Sequence, residues 1–217
     1  MATVGSDAYG YDANGNLTTG GGRTYTWNAE NQPIQITSGT TTETYQYDGD
    51  NARVKKTSTT GGVSVTTRYV GALEIRSNGT TILTYDGVAF RTIAGSTNVR
   101  TYIHGDHLGS VSLTTNTNGM ASPLQTFDPW GAVRSGSITS TEFNYTNQRK
   151  DAGTGLLFYN ARYYDPALGR FLSADSMILT HECHPNAVSI CIGMLQSIIR
   201  WVLQGIPLRT LFSSFRE

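Results

Sequence analysis

The chain contains few charged residues and almost no cysteine. Charged residues make up 15% of its 217 positions, and its two cysteines are Cys183 and Cys191. No disulfide framework can therefore support the residues before Cys183. Lys plus Arg equals Asp plus Glu at 16 each, so the net charge gives no electrostatic reason to expect nucleic acid or an anionic membrane as a partner. The amino terminus lacks a basic region followed by an apolar run, so no signal peptide is predicted.

Glycine and tyrosine are abundant instead, at 24 and 12 residues. An aromatic pair followed by Asp or Asn occurs three times, beginning at Tyr9, Tyr25 and Tyr45, which are 16 and 20 positions apart. Residues i and i+2 of a strand share a face, so each pair places two rings side by side, and rings on neighbouring strands can stack. The Asp or Asn that follows favours a turn. The sequence therefore predicts an all-β fold, an antiparallel meander of short hairpin-linked strands with no helix before Met177.

Turn dipeptides separate the predicted strands. Five of them are of the kind that two-residue hairpin loops prefer, namely Asn14-Gly15, Asp48-Gly49, Gly61-Gly62, Asn78-Gly79 and Asn118-Gly119. Between them, Thr- and Val-rich alternation over residues 63–70 and 80–85 is typical of half-buried strands. An array of this kind buries its faces only by stacking with neighbours. The alternative from spacing alone is an ordinary β-sandwich with the tyrosines in its core.

Three denser segments follow the repeats. They read YIHGDHLGSV from Tyr102, FDPWGAVRSG from Phe127, and GLLFYNARYYDPALGRFLSAD from Gly155 to Asp175. Together with the Tyr-Asp repeats and YDANGNL at Tyr11, these segments resemble the RHS/YD-repeat family and its RHS repeat-associated core, over roughly residues 9–175. The last string is the most specific of them. The family includes bacterial polymorphic toxins, the shell-forming subunit of insecticidal toxin complexes, and the animal teneurins.

The resemblance implies a spiralling β-sheet that winds into a hollow shell. The core motif turns inward as a plug, and a variable C-terminal toxin is carried inside. The chain then divides into partial YD-repeat strands (residues 1–101), the repeat-associated core (102–175) and a divergent tail (176–217), truncated at both ends relative to a longer parent. The implied partners are the remaining repeats of that parent, a C-terminal toxin cargo and its immunity protein. Members are typically secreted or displayed on the cell surface.

The core motif supplies the structural residues that we expect to matter most. They set turns or pack large rings, and they are His104, Asp106, His107, Gly109, Asp128, Pro129, Trp130, Gly131, Arg162, Tyr163, Tyr164, Asp165, Pro166, Gly169, Arg170 and Phe171. Residues 128–131 are predicted to form a turn, because proline presets φ and glycine supplies the permissive position. A second turn over residues 165–169 is predicted to bring Arg170 and Phe171 back over the paired tyrosines Tyr163 and Tyr164. There Arg162 and Arg170 can stack on rings by cation–π contacts.

Asp175 is the one catalytic candidate. Many family members release their toxin by self-cleavage just after the core, using aspartates in later DPxG-type motifs. Here Ser176 stands where proline is usual, and no DPxGL motif follows. A carboxylate pair that shares a proton can hydrolyse a peptide, whereas one carboxylate without its partner generally cannot. The sequence therefore predicts a protein that is not an enzyme.

Two histidine-containing clusters raise the question of a metal. His104 and His107 supply too few ligands for a closed site, which needs about four. The resemblance gives this segment a structural use instead, as a turn that leads into a strand at Leu108. The second cluster lies in the tail and fits no zinc spacing; it comprises His181, Cys183, His184 and Cys191. Neither a metal nor a cofactor is predicted.

The composition changes abruptly after Met177, where Ile, Leu, Cys and Phe replace Tyr and Asp. Small or polar residues recur at helical spacing at Ser189, Gly193, Gln196, Arg200 and Gln204. This periodicity predicts an amphipathic helix over about residues 186–204. Three interpretations stay open: a docking or capping helix over an exposed strand edge, a membrane-active segment of marginal length, or a non-native tail from a slipped reading frame. About 40 residues rarely form a complete toxin domain.

Three classes of function compete. The favoured hypothesis is a non-enzymatic structural module, the end of a β-shell and its core plug, which packages or presents a C-terminal effector. The second is a self-cleaving aspartyl peptidase that uses Asp175 as one carboxylate. The third is a surface module that binds carbohydrate or a receptor through exposed Tyr and Trp rings.

Overall fold

Antiparallel strands account for nearly all of the structure. The computed structural model describes residues 2–4, 7–85 and 87–175. Within these ranges there is no α-helix, and the only helical element is a short 3-10 turn at Tyr145–Asn147. The predicted all-β meander is confirmed, whereas the predicted helix over about residues 186–204 lies outside the described residues. No helix in the described ranges is long and apolar enough to span a membrane.

Thirteen strands pair in chain order, each antiparallel to the next, to form one sheet. They are β1 (Ala2–Val4), β2 (Asp7–Tyr11), β3 (Leu17–Gly20), β4 (Arg23–Trp27), β5 (Pro33–Ser38), β6 (Thr41–Tyr47), β7 (Arg53–Thr60), β8 (Val63–Val70), β9 (Leu73–Arg76), β10 (Thr80–Tyr85), β11 (Ala89–Ala94), β12 (Thr97–Gly105) and β13 (Val111–Asn116). Two small sheets follow: β14 (Thr126–Phe127) with β15 (Val133–Ser135), and β16 (Arg149–Lys150), β17 (Leu157–Phe158), β18 (Tyr163–Asp165) and β19 (Arg170–Phe171).

The aromatic pairs of the repeats divide between two environments. The first rings, Tyr9, Tyr25 and Tyr45, are buried on one face of the sheet, called the inner face below. The second ring of each pair lies at a β-bulge, because the register shifts one residue before it in all three repeats. A bulge re-aims the side chain that follows it. Trp27 and Tyr47 nevertheless pack against the apolar cluster that contains the first rings, whereas Tyr11 is 36% exposed.

The re-aimed second rings bond the backbone of the strand before them. Trp27 donates its indole N–H to the carbonyl of Leu17 at 2.7 Å, and Tyr47 donates its hydroxyl to the carbonyl of Pro33 at 2.9 Å. Each bond reaches the first residue of the preceding strand. Trp27 and Tyr47 therefore hold neighbouring strands to one another and also pack against the interior cluster.

A five-residue loop that begins with Asp or Asn occurs six times. In each, the side-chain oxygen of the first residue accepts bonds from the backbone N–H groups two and four residues later, at 2.8–3.1 Å. The first residues are Asp12, Asn28, Asp48, Asp106, Asn116 and Asp128. The fourth residue of every loop has positive φ and is Gly or Asn, as that conformation requires. The acidic or amide residue after each ring pair is thus a turn former, as predicted.

These loops replace most of the predicted two-residue hairpin turns. Gly61-Gly62 does connect β7 directly to β8. Asn14-Gly15, Asp48-Gly49 and Asn118-Gly119 instead lie inside five-residue loops, and Asn78-Gly79 lies in a loop of residues 77–79. The prediction is wrong there because the Asp or Asn side chain supplies turn bonds over a longer span than a two-residue loop allows.

The sheet continues past the predicted boundary between residues 101 and 102. That boundary falls within β12, and Tyr102 pairs with Thr115 of β13. The strand expected at Leu108 begins at Val111, because the preceding residues form the loop that starts at Asp106. The change to small sheets comes after Asn116.

Residues 142–175, here called the inner segment, lie against the inner face of the sheet. One apolar cluster joins the two: Tyr9, Leu17, Tyr25, Ile36 and Tyr45 of the sheet with Leu156, Phe158, Tyr163 and Leu172 of the inner segment. A backbone bond from the N–H of Leu17 to the carbonyl of Leu172, at 2.9 Å, fixes the end of this contact. Burying each such side chain contributes about 1.5–3 kcal/mol. The contact between sheet and inner segment is therefore the main apolar cluster among the described residues.

Candidate functional site

Ion pairs cross from the sheet to the inner segment beside the apolar cluster. Their acceptors on the inner segment are Glu142, Asp151 and Asp165, and Arg149 of the same segment pairs with a glutamate of the sheet. Charged groups at a buried contact are costly unless each is paired and hydrogen-bonded. This ionic interface is the polar constellation that we consider as the functional site.

Asp151 is the centre of the ionic interface. It is fully buried, and its two oxygens accept from two different cations of β7, Arg53 Nη1 at 2.6 Å and Lys56 Nζ at 2.8 Å. The Arg53 side chain is itself only 1% exposed. Arg53 also donates to the hydroxyl of Tyr163 at 2.7 Å, and its guanidinium lies 4.2 Å from the ring centroid of Phe158. One carboxylate thus binds two cations of the sheet to the inner segment.

The three central groups keep one another charged. Burial alone would raise the pKa of Asp151, but Arg53 and Lys56 outweigh it and hold that pKa below its usual value. Burial would likewise lower the pKa of Lys56. The negative charges of Asp151 and, after it, Glu142 outweigh burial and raise that pKa above its usual value. At neutral pH the aspartate is ionised and both cations are protonated, so each charge depends on the others for compensation.

A second group of charges lies around Arg149 of β16. Arg149 bonds Glu74 of β9 and lies 3.8 Å from Glu142. Glu142 in turn accepts from Arg76 Nη2 at 3.0 Å and lies 3.4 Å from Lys56 Nζ. Lys56 therefore links this group to the one around Asp151, and the two form a continuous network.

Arg23 of β4 makes the third contact. Its Nη1 lies 2.7 Å from Asp165, and its Nε donates to the carbonyl of Thr154 at 2.9 Å. The other carboxylate oxygen of Asp165 accepts from the backbone N–H of Ala167 at 2.9 Å. Asp165 therefore shapes the turn of the inner segment and binds that turn to the sheet.

Glu43 of β6 is a buried carboxylate beside the network. It accepts from the hydroxyl of Tyr45 at 2.8 Å and from that of Thr154 at 3.3 Å. Burial, and after it the charge of Asp151, raise the pKa of Glu43 above its usual value. Its ionised form is thus less favourable in the folded protein than in the unfolded chain.

Replacing Glu43 by Gln should stabilise the fold relative to the parent chain as the pH rises. The raised folded-state pKa means that the native state binds the Glu43 proton more tightly than the unfolded chain does. The free energy of unfolding therefore falls as the pH rises above the pKa that this carboxyl has in the unfolded chain. Glutamine keeps an acceptor for Tyr45 and has no proton to lose. Urea unfolding at several pH values between 4 and 8, roughly the range in which this carboxyl titrates, would measure the difference. A difference that stays constant or falls with pH would contradict the assignment.

The predicted turn over residues 165–169 is present, with Pro166 as its second residue. The N–H of Gly169 donates to the carbonyl of Asp165 at 2.8 Å, and Phe171 pairs with Tyr164 at a ring-centroid distance of 5.4 Å. Tyr163 points instead into the apolar cluster and is buried. The return of Phe171 over one of the paired tyrosines is therefore confirmed.

Both predicted cation–π contacts are present, although Arg170 has a different partner from the one expected. The guanidinium of Arg162 lies 4.0 Å from the ring centroid of Phe171. That of Arg170 lies 5.7 Å from the ring of Tyr11, in β2 of the main sheet. Arg170 therefore contributes to the contact between inner segment and sheet.

The predicted turn at residues 128–131 contacts the inner segment. The carbonyl of Trp130 accepts from the hydroxyl of Tyr164 at 2.9 Å, and that of Pro129 accepts from the hydroxyl of Tyr145 at 3.1 Å. A side chain at Gly169 would meet the ring of Trp130, so glycine is needed there for close approach. The two predicted turns thus lie against each other.

The histidine motif has a structural place. His104 in β12 bonds Thr115 of β13 through Nε2 at 2.9 Å, Asp106 begins a five-residue loop, and Gly109 takes its positive-φ position. His107 is exposed in the same loop. Within the described ranges no group of three or more His, Cys, Asp or Glu could hold a metal ion. The tail cluster from His181 to Cys191 lies outside those ranges.

Asp175 lies at the far end of the inner segment. Its carboxylate is 3.0 Å from Arg162 Nη2, and its side chain is 53% exposed.

Of the carboxylates in the ionic interface, the sequence motifs had indicated Asp165 alone. Arg53, Lys56, Glu43 and Asp151 were not among the predicted site residues. One signal could have found part of it, since Glu43 stands two residues before the inward ring of Tyr45 and so shares its face.

The fold and the interface define a class of protein, an antiparallel β-shell segment with its own chain packed against the inner face. A family profile described as Teneurin YD-shell matches residues 4–190. The chain therefore belongs to the teneurin YD-shell family.

Curated relatives are much longer than this chain. The tRNA(Glu)-specific nuclease WapA of Bacillus subtilis subsp. natto (strain BEST195) is 29% identical over 189 residues, which cover 81% of this chain and 8% of that protein. Toxin subunit YenC1 of Yersinia entomophaga is 29% identical over 189 residues, covering 71% of this chain and 19% of the subunit. The chain thus spans less than a tenth of the first relative.

Solved structures share the fold. The crystal structure of TcdB2-TccC3 superposes with a TM-score of 0.64 at 25% identity, over 76% of this chain and 10% of that one. A Tc holotoxin pore from Photorhabdus luminescens gives a TM-score of 0.66 at 24% identity, over 76% of this chain and 9% of that one.

Proposed function

We propose that this chain is a non-enzymatic part of a toxin-type YD shell, in which the inner segment acts as a plug. The shell would package or present an effector that follows it in a longer parent protein. The partners that we propose are the remaining repeats of that shell, the effector and its immunity protein.

The ionic interface carries the proposal. Arg53 and Lys56 both donate to Asp151 away from solvent. Such an arrangement suits holding a segment against the sheet, because buried charges are stable only where their partners stay in place. It does not suit turnover of a substrate, which needs an accessible group with a matched pKa.

The relatives support the same division of labour. WapA is named as a tRNA nuclease and YenC1 as a toxin subunit, and the matched region is a small part of each. We infer that an effector activity in the parent of this chain would reside outside the YD-shell region.

Self-cleavage is the second candidate, because Asp175 is partly exposed and ion-paired to Arg162. The full chain should stay intact on prolonged incubation, since one carboxylate is not expected to hydrolyse a peptide. Intact-mass spectrometry of the purified chain, beside an Asp175→Asn variant, would check this. A fragment cut near residue 175 in the parent chain and absent from the variant would establish the peptidase instead.

A further inference from the structure

The outward face of the sheet is basic from β5 to β13. Side chains alternate between the two faces of a strand, and four basic residues fall on the face opposite the buried positions. They are Lys55, Arg68, Arg91 and Arg100. Among the described side chains of these nine strands, the acidic ones are Glu43 and Glu74, and both are buried on the inner face. The outward face therefore has positive charge without compensation, although the whole chain is neutral.

The four basic residues form two like-charge pairs. Lys55 of β7 lies directly opposite Arg68 of β8, and Arg91 of β11 lies directly opposite Arg100 of β12. Like charges in such positions destabilise a sheet. Asn98 accepts from the Nε of Arg91 at 2.7 Å, which holds that guanidinium in place without neutralising it. An anion bound to this face would relieve both pairs.

Apolar side chains occupy the space between the two pairs. Ile75 lies directly opposite Arg68, and Leu83 lies directly opposite Arg91. Ile75 is 43% exposed, and Ile93, which is 38% exposed, lies beside the second pair, two residues from Arg91 on the same strand. The centres of the two basic pairs are four strand spacings apart across the sheet, which is about 19 Å. They stand in adjacent rows, because the row of Arg68 and Ile75 reaches β11 at Ile93, two residues from Arg91. The face is therefore a basic, apolar, basic sequence of side chains across the sheet.

We propose that this face docks an acidic, amphipathic protein segment, with carboxylates at both ends and apolar residues between them. An extended peptide rises about 3.3 Å per residue, so the two carboxylate groups would stand about six residues apart. A uniformly charged polymer would satisfy the basic pairs but leave Ile75 and Leu83, which lie between them, in contact with charge. The alternation of charge and apolar surface therefore favours a protein segment over a polyanion.

A synthetic peptide tests the proposal directly. It has about nine residues, with two glutamates at each end and alternating Thr and Ile between them. A matched control peptide has glutamine in place of all four glutamates. With the full 217-residue chain, fluorescence anisotropy should show saturable binding of the acidic peptide. Binding should weaken about tenfold or more with the glutamine peptide, and should fall as salt screens the charges.

Variants of the chain supply the second arm. Arg91→Thr with Arg100→Thr should weaken peptide binding about tenfold or more, whereas Arg134→Thr, at an exposed arginine of β15, should leave it unchanged. The double variant should also raise the thermal midpoint at low salt, because it removes a like-charge pair. Loss of binding through unfolding would lower that midpoint instead, which separates the two causes.

Two results would overturn the proposal. Binding of heparin or polyphosphate without binding of the acidic peptide would show that the face recognises a polyanion. Absence of binding by peptide and polymers alike would show that solvent alone accommodates the two basic pairs. The test does not depend on the proposed function, because it concerns the opposite face of the sheet from the inner segment.

Discussion

Replacing Asp151 by Asn should lower the free energy of unfolding by about 3–5 kcal/mol, the cost of breaking a buried ion pair by removing one partner. The substitution keeps the shape of the side chain and removes its charge. Arg53 and Lys56 would then lose the carboxylate that lies 2.6 and 2.8 Å from them, and the buried Arg53 guanidinium would lose its ion-pair partner, while Lys56 would keep Glu142 at 3.4 Å. Urea unfolding of the full chain would measure the loss as a lower midpoint at an unchanged slope.

Asp175→Asn provides the matched control. It removes the same group from another aspartate paired with arginine, but Asp175 is 53% exposed, and exposed pairs contribute about 0–1 kcal/mol. Equal effects of the two substitutions would mean that burial of the Asp151 centre does not matter.

The effect of Asp151→Asn should also depend on pH. The folded-state pKa of Asp151 is lowered, so its contribution is present above the unfolded pKa and is lost as the pH falls through the folded pKa. The difference between parent and variant should therefore be full at neutral pH and shrink in acid. A difference that grows in acid would refute the assigned direction.

Tyr163→Ala should cost about 3–5 kcal/mol, as for other large core rings replaced by alanine. Tyr163 belongs to the apolar cluster, its ring centroid lies 5.3 Å from that of Tyr45, and its hydroxyl accepts from Arg53. Removing it therefore opens a cavity and also takes a partner from a buried guanidinium. The measurement is again the urea midpoint of the full chain.

The neighbouring tyrosine is the control for this substitution. Tyr164→Ala should cost about 1–2 kcal/mol, because that ring is only partly buried. Tyr163→Phe keeps the ring and removes the hydroxyl, so it should cost about 1–3 kcal/mol. If the two alanine variants were equally unstable, the inward direction of Tyr163 would not explain its role.

Local patterns predicted the strands because they act over a few residues. The ring pairs at Tyr9, Tyr25 and Tyr45 and the frequent turn residues were enough for the antiparallel meander. The bulge before each second ring was not predictable from alternation, since one extra residue moves a side chain without changing the composition of the strand.

The ionic interface was not predictable because its partners are far apart in the chain. Arg53 and Asp151 are separated by 98 positions, and no periodicity connects residues at that distance. The turn residues Asp128 and Asp165 were found because glycine and proline stand beside them. A charged residue on an inward position, such as Glu43, indicates only that some partner must exist.

The order of charges along the inner segment has a consequence for folding fidelity. An apolar segment could seat against the rings of the sheet in several registers, since hydrophobic contact is not directional. Glu142, Arg149 and Asp151 instead follow one another as acid, base and acid. Their partners on the sheet have the opposite charges and are Arg76, Glu74 and Arg53 respectively. A slip of a few residues would bring like charges together in a buried place, so misthreaded arrangements are penalised and one seating is selected.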